Sequence, residues 1–474
     1  MLELAVSKSE VSVSERLDTI LEKQQAACRR QRVLSADQRR DAIARVKKIV
    51  THHKDALIEA VNRDFGHRSR METELCELML VATAADHARS HVKKWMKPRR
   101  RGVNLTSLPG SAWVQHEPLG VLGIISPWNY PLLLTLSPLI DALAAGNRVM
   151  IKPSELTPQT SALMAQLIET YFDEEEVAVV TGGIDIGAYF STMPFDHLLF
   201  TGSTSIGRRI ALAAAENLTP TTLELGGKSP AIVCDDYSMD KAVRSIALGK
   251  FINAGQTCIA PDYVLVPKGT GTAFAEALIA EVKRGIPDLA SETYTGIVNE
   301  RHLERLEQIV TEAARLGGKV LTAGQAPVGK MSPTVILNPP NGVAILEEEI
   351  FGPVLPIVEY SDLDDALRFI NDRTHPLALY VFTKNKSREK QVLSGAISGG
   401  VSVNSTLLHL VQHNLPFGGV GHSGSGAYHG EDGFKRFSHA RSVFKVGPLN
   451  SFEMLGPPFG RLAKLTTNFF LRKS

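Results

Sequence analysis

VLGIISPWNYPLLLTLSPLIDALAAGNRVMIKPSE, residues 121–155, passes from one compact apolar run to another through a longer segment of helical period. The runs VLGII and VMIK predict buried strands, and 131–145 predicts a helix between them. The alternation goes on with a helix over 157–171, then VAVV at 177–180 and HLLFTG at 197–202. Strand alternating with helix predicts a parallel sheet covered on both faces. Ligands of such sheets sit beyond the carboxyl ends of the strands, where the loops 126–130, 152–155 and 201–207 converge on one crevice.

Downstream, a second α/β series begins near Leu223. It runs through strand AIVCD, helix 239–251, strand YVLVP, helix 271–284 and a charged helix over 300–316. It closes with VLPIV, helix 362–371, ALYVFT and helix 387–394. The segment PFGGVGHSGSGAYHG at 416–430 is too glycine-rich for a regular element and reads as a loop held close to other backbone. Upstream, 14–64 and 72–95 carry apolar residues at helical spacing, such as Leu17, Ile20, Leu21, Ile43, Val46 and Ile49. The basic run 93–101 reads as a solvated helix end rather than a nucleic-acid patch. Gly102, Pro109 and Gly110 mark a hairpin over 103–116, a candidate subunit contact with a late partner strand at 442–446. The fold class is α/β, two doubly wound parallel-sheet units with a small β arm.

With 474 residues and 43% hydrophobic content, the chain has material for two or three domains. Its 52 basic and 50 acidic side chains leave a net charge of +2, so no single-signed field exists to organise nucleic acid. Four cysteines, at 28, 76, 234 and 258, form no CxxC pair, which points to a reducing, cytoplasmic setting. Neither a signal peptide at the N-terminus nor a membrane span is expected, because Pro127, Pro131, Pro138 and Asp141 break the most apolar region. The basic, amphipathic tail beyond Pro457 is expected to pack on a dimer surface rather than on lipid.

FINAGQTCIAPDY, residues 251–263, holds the one cysteine whose neighbours suit chemistry. Gly255, Gln256 and Thr257 leave room for a substrate beside Cys258, although a cysteine in a Gly-containing loop is also a common structural feature. In PWNYP, Asn129 follows a strand and precedes a helix, so its amide suits an oxyanion or, alternatively, a helix cap. Lys152 and Glu155 in IKPSE suit a ribose, or form a proline-fixed turn with an exposed ion pair. FTGSTSIG sets Gly202, Ser203, Thr204, Ser205, Ile206 and Gly207 at a helix start, a place for pyrophosphate or for close packing. Glu224 in ELGGKSP falls at the junction of the two units, as a general base or as the ion-pair partner of Lys228. Glu349 and Phe351 in EIFGP offer a second carboxylate and an aromatic, beside the exposed acids Glu347 and Glu348. His409 and His413 would share a helix face, but no third ligand accompanies them, so no metal is expected. No local signature supports a Cys-His hydrolase built on Cys258.

Together, PWNYP, KPSE, FTGSTSIG, ELGGKSP, GQTCIAPDY, EEIFGP and PFGGVGHSG resemble, in order, the NAD(P)-dependent aldehyde dehydrogenase superfamily over roughly residues 15 to 445. IAPDY and HxxxHxxPFGG resemble its class 3 branch, and DFGHRSRMETE at 64–74 is similar to bacterial coniferyl aldehyde dehydrogenases. The resemblance implies that Cys258 attacks the aldehyde while Asn129 and the Cys258 amide hold the oxyanion. It implies that Glu224 activates water, that Lys152 and Glu155 hold the adenine ribose, that 202–207 face the pyrophosphate, and that Glu349 and Phe351 position the nicotinamide end. It implies a Rossmann-like cofactor unit at 1–101 and 117–223, a catalytic unit at 224–410, an oligomerisation arm at 102–116 and 437–450, a returning Gly-rich segment at 411–436 and a tail at 451–474.

The expected activity is irreversible oxidation of an aldehyde to its acid with NAD, NADP being accepted, in a homodimer. A non-catalytic protein keeping the fold is the rival, disfavoured by the intact Cys258, Glu224 and Asn129. Tyr130, Leu133, Leu134 and 407–411 predict an apolar tunnel for an aromatic or medium-chain aldehyde, coniferyl aldehyde foremost, with long-chain alkanals the alternative.

Overall fold

A computed structural model describes residues 13–472, so the N-terminal residues on which the absence of a signal peptide was expected lie largely outside it. Val121–Ile125 is buried along its whole length and pairs in parallel with Arg148–Lys152 on one side and His197–Thr201 on the other. Val177–Val179 and Thr221–Glu224 extend these flanks, and the two-residue strand Gly424–Ser425 closes one edge in antiparallel fashion. The order is therefore 424–425, 221–224, 197–201, 121–125, 148–152, 177–179. Chain order reverses at Val121–Ile125, which opens a crevice between the loops that follow it and its neighbour His197–Thr201.

Leu133–Ala145 is buried at every position and packs between this sheet and the helices Ala36–His52 and Met79–Trp95. It ends at Gly146, whose φ of +92° is left-handed and whose N–H reaches the carbonyls of Ala142 and Leu143. A Cβ at Gly146 would lie 2.7 Å from the Arg39 guanidinium, so a side chain there is excluded sterically as well as conformationally. Arg39 in turn donates to the carbonyls of Ala144 and Ala145, which satisfies the end of a helix that water cannot reach.

The second sheet has seven strands, in the order 319–322, 334–337, 354–360, 263–267, 230–233, 378–382, 400–403. All pairs are parallel except Lys319–Thr322 with Thr334–Leu337. Both sheets thus carry one antiparallel edge strand on a parallel body.

The basic run does not continue the helix as expected. Pro98 lacks an N–H and disfavours helix before it, so the helix stops at Trp95 and Arg99–Arg101 pairs with Ser111–Pro118 instead. The hairpin is accordingly shifted outward from 103–116, and its third strand is Ser438–Lys445, longer than the expected 442–446. Downstream, Ser451–Leu455 and Arg461–Phe470 are short helices, with Phe459, Leu465 and Phe469 exposed. Among the described residues, no helix is long and apolar enough to cross a membrane.

Candidate active site

Cys258 follows three consecutive left-handed residues, Asn253, Ala254 and Gly255, with φ of 52°, 49° and 73°. Two of them carry side chains, and each such residue costs on the order of 1–3 kcal/mol unless its surroundings impose it. The surroundings do. Asn253 Nδ2 donates to the Asn129 and Gln256 carbonyls, and the Asn253 N–H is taken by Glu72 Oε1 at 3.1 Å. Gln256 Nε2 donates to the Gly296 carbonyl, and its Oε1 accepts from the Val298 N–H. A Cβ at Gly255 would stand 2.3 Å from the Gly352 carbonyl oxygen, so only glycine fits there.

Cys258 is half-buried. Burial pushes its thiol up to about 12, and the carboxylates of Glu349 and Glu224 push the same way, against its own N–H and that of Ile259. Cys258, Glu224 and Glu349 therefore lie close enough to feel one another's charge. Glu224 ends the strand Thr221–Glu224, is 2% exposed, and has neither carboxylate oxygen bonded to a protein group. Burial raises its pKa well above the ordinary range, with Arg436 opposing. Glu349 lies across Gly226, where a Cβ would come within 2.0 Å of its Oε2. Burial and then Asp262 raise Glu349 to about 8, against the Gly227 N–H and the lysines 228 and 250.

Lys228 is not the partner of Glu224. Its ammonium meets Asp262 Oδ2 at 2.6 Å and the carbonyls of Ile345 and Glu348 at 2.8 Å. Asp262 also accepts from the Ile350 N–H, so this pair pins the turn that delivers Glu349. Glu347 and Glu348 are exposed as expected, but Glu349 has its Oε1 buried. Phe351, at φ +52°, meets the Trp128 ring edge-on at 5.3 Å.

Asn129 is buried and donates from Nδ2 to the Gln256 carbonyl at 3.1 Å. It does not cap the following helix: the N–H groups of Leu132 and Leu133 are taken by Glu77 Oε2 at 2.7 and 3.1 Å. Glu77, Arg68, Asn253 and Asp262 were not singled out from the sequence, because nothing in an amphipathic helix or a loop distinguishes a buried polar residue from a solvated one.

Along the first sheet, Lys152 is buried at a strand's carboxyl end, and its ammonium reaches Glu155 Oε2 at 2.9 Å, while Glu155 stays partly exposed. Ser203 caps Thr204–Ala215 by accepting from the Ile206 N–H. Thr204 Oγ1 donates to the His422 carbonyl, and the Ser203 and Ser205 hydroxyls lie 3.2 Å apart. Gly202 and Gly207 also serve packing, since a Cβ would sit 2.5 Å from Phe200 or from Leu225 respectively. His409 and His413 are not helical, and His409 Nδ1 lies 2.9 Å from Ser402 Oγ. Among the described residues, no cluster of three or more His, Cys, Asp or Glu could hold a metal ion.

A cysteine beside two buried carboxylates, near the carboxyl end of a strand of a doubly wound sheet, is an arrangement suited to a thiol-dependent enzyme of the α/β class. The chain belongs to the aldehyde dehydrogenase family, whose profile matches residues 5–443. It is 47% identical over 459 residues to a probable coniferyl aldehyde dehydrogenase of Pseudomonas aeruginosa, covering 96% of each chain. The substrate-bound AldH of Staphylococcus aureus superposes with a TM-score of 0.91 at 35% identity, over 96% of this chain and 99% of that one. PnpE in complex with nicotinamide adenine dinucleotide gives 0.83 at 29% identity, over 92% and 91%. The protein is an NAD(P)-dependent aldehyde dehydrogenase. Its residues fit such a cofactor, because the helix start at Thr204 and the Lys152–Glu155 pair line the carboxyl edge of one sheet, and Glu224 and Glu349 keep buried oxygens without protein partners.

Proposed function

We propose that the enzyme oxidises a phenylpropanoid aldehyde, coniferyl aldehyde to ferulate, with NAD preferred and NADP accepted. The observation that carries this is the cavity wall formed by Leu80, Ala84, Leu133, Leu134, Leu410 and Val411, in which no lysine or arginine takes part. A second carboxylate on the substrate would be buried unpaired there, whereas each apolar CH₂ gains about 0.8 kcal/mol. The 47% identical relative, named for coniferyl aldehyde, favours an aromatic substrate. Medium- or long-chain alkanals are the second reading, because the same leucines would hold an alkyl chain equally well.

In this reading Cys258 attacks the carbonyl carbon, and its proton passes to a carboxylate whose basicity burial has raised. Asn129 has two amide N–H groups, one bound to Gln256, and the other holds the developing alkoxide together with the Cys258 backbone N–H. Bound NAD(P) supplies the hydride acceptor that turns the thiohemiacetal into a thioester. Glu224 then takes a proton from the water that attacks the thioester, releasing the acid and regenerating Cys258. Lys152 and Glu155 would hold the adenine ribose, Gly202 to Gly207 the pyrophosphate, and Glu349 with Phe351 the nicotinamide end.

The substrate is tested by kcat/KM for coniferyl aldehyde, benzaldehyde, hexanal and succinic semialdehyde under one condition. Coniferyl aldehyde should lead. A win for hexanal removes the aromatic choice, and a win for the semialdehyde removes the apolar channel.

A homodimer is part of the proposal, with the arm 102–116 and 437–450 as its contact. Ser438–Lys445 is an almost wholly exposed edge strand with Phe444 uncovered, and such an edge invites pairing. Light scattering at micromolar concentration should give twice the chain mass, and a monomer rejects it. Four unpaired cysteines support the cytoplasmic setting.

A further inference from the structure

The wall just described is apolar along one side only. The same cavity is also lined by His87, His413, Tyr428, His429 and Asp141. Leu80, Ala84 and His87 line one face of Met79–Trp95, and Leu133, Ser137 and Asp141 line one face of Leu133–Ala145, so both helices run from apolar to polar along the cavity.

Two nitrogens at this polar end have no protein partner although they are buried: His87 Nε2 and His429 Nδ1. A buried polar atom without a partner is costly, on the order of 1–3 kcal/mol, and so calls for an explanation. Gly430 packs beside His87 Nε2. It has φ +55°, and a Cβ there would lie 3.4 Å from that nitrogen. The rings are fixed from behind, His87 stacked on His91 at 4.2 Å and on His413 at 5.4 Å, and His429 stacked on Phe417 at 5.3 Å. Burial lowers His87 to about 4 and His429 to about 3, so both are neutral hydrogen-bonding groups at neutral pH. Asp141 accepts from the His429 backbone N–H, and burial raises its own pKa to about 8, which leaves it an uncharged acid.

Two tyrosines link the cavity lining to the Cys258 loop. Tyr130, three residues before Leu133, shares a 2.7 Å hydrogen bond with Thr257 Oγ1, the neighbour of Cys258. Tyr428 borders the cavity and is also near enough to Glu224, Asp141 and Cys258 for their charges to add to the effect of burial on its phenol. A rod-shaped substrate with its carbonyl at Cys258 would thus put its far end among the imidazoles.

We propose that His87 and His429 form a distal specificity subsite, hydrogen-bonding the phenolic hydroxyl of a 4-hydroxylated aromatic aldehyde whose carbonyl lies at Cys258. This rests on the aromatic reading above and deepens it. A neutral imidazole pair can accept from the hydroxyl at one nitrogen and donate to its oxygen at another, which an alkyl chain cannot use. A site with such unpaired groups discriminates against the analogue that lacks the hydroxyl, because the analogue leaves them unsatisfied.

The test compares 4-hydroxy-3-methoxycinnamaldehyde with 4-methoxycinnamaldehyde and cinnamaldehyde, with hexanal alongside, using NAD and the full-length enzyme. The unaltered enzyme should favour the hydroxylated aldehyde over the other two by about tenfold or more in kcat/KM. His87→Leu should lose about tenfold more on the hydroxylated aldehyde than on cinnamaldehyde, and His87→Gln should recover part of that difference. Equal kcat/KM for the three cinnamaldehydes on the unaltered enzyme overturns the subsite while leaving the aromatic reading standing. An equal loss on all substrates in His87→Leu also overturns it. Turnover of hexanal but of no cinnamaldehyde overturns the aromatic reading and the subsite together.

Discussion

Arg68 and Asn129 stand 61 positions apart in the chain, and the Arg68 guanidinium donates from Nη1 to the Asn129 backbone carbonyl at 2.7 Å. Arg68 is fully buried, pairs with Glu77 at 3.4 Å, and stacks over Phe65 and Tyr130 at 4.8 Å from each ring centroid. Glu77 in turn caps the backbone at Leu132 and Leu133. One buried ion pair thereby fixes both ends of the turn that presents the Asn129 amide to the Cys258 loop.

Removing the cation should expose how much depends on it. Arg68→Met leaves Glu77 buried without its partner, and breaking a buried pair from one side costs about 3–5 kcal/mol. The urea midpoint should fall sharply, and kcat of the remaining folded enzyme should fall with it, since the Asn129 turn loses an anchor. An unchanged midpoint and kcat would show that the turn holds itself.

With the adenine ribose at Lys152 and Glu155, as proposed, Glu155 would set the cofactor preference. A carboxylate near the adenine ribose repels a 2′-phosphate, and the buried Lys152 3.0 Å from the Pro153 carbonyl is held in place as the attractive counterpart. Glu155→Gln should raise kcat/KM with NADP relative to NAD, by several-fold. A ratio that does not move assigns the preference to other groups.

Asp141 provides a pH signature of folding. Its folded pKa is raised to about 8, chiefly by burial, while an unfolded Asp titrates near 4. Between these values the unfolded chain gives up a proton that the fold retains, so this group's contribution to stability is full below about pH 4 and falls as pH rises toward about 8. Asp141→Asn keeps a neutral side chain of the same shape, and its carbonyl oxygen can still accept from the His429 backbone N–H. Thermal unfolding followed from pH 5 to pH 9 should decline less for Asp141→Asn than for the unaltered protein. Parallel curves would mean that Asp141 is not the group retaining the proton.

The sheets were legible where apolar runs are compact. Met239–Phe251 and Tyr263–Pro267 begin and end where periodicity predicts, because a buried parallel strand or a one-sided helix writes its environment into the sequence. Edge elements were not: Arg99–Arg101 and Lys319–Thr322 are largely solvent-facing, and their pairing depends on where Ser111–Pro118 and Thr334–Leu337 lie in space. The motif residues around Cys258 were legible through their small neighbours and prolines. Their supports were not, because the choice of Lys228 for Asp262 rather than for Glu224 is made by tertiary approach over 34 residues. The imidazoles of His87 and His429 escaped notice for the same reason, being brought to one cavity from opposite ends of the chain.

In the proposed reaction Cys258 carries the acyl group and Glu224 releases it. Glu224→Gln, mixed with NAD and coniferyl aldehyde, quenched in acid within seconds and weighed as intact protein, tests both halves at once. The account predicts a burst of reduced cofactor near one equivalent per chain, together with a mass increase matching one feruloyl group that maps to Cys258 and disappears in the Cys258→Ala background. Steady release of ferulate at the unaltered rate, with no adduct on Cys258, would contradict it.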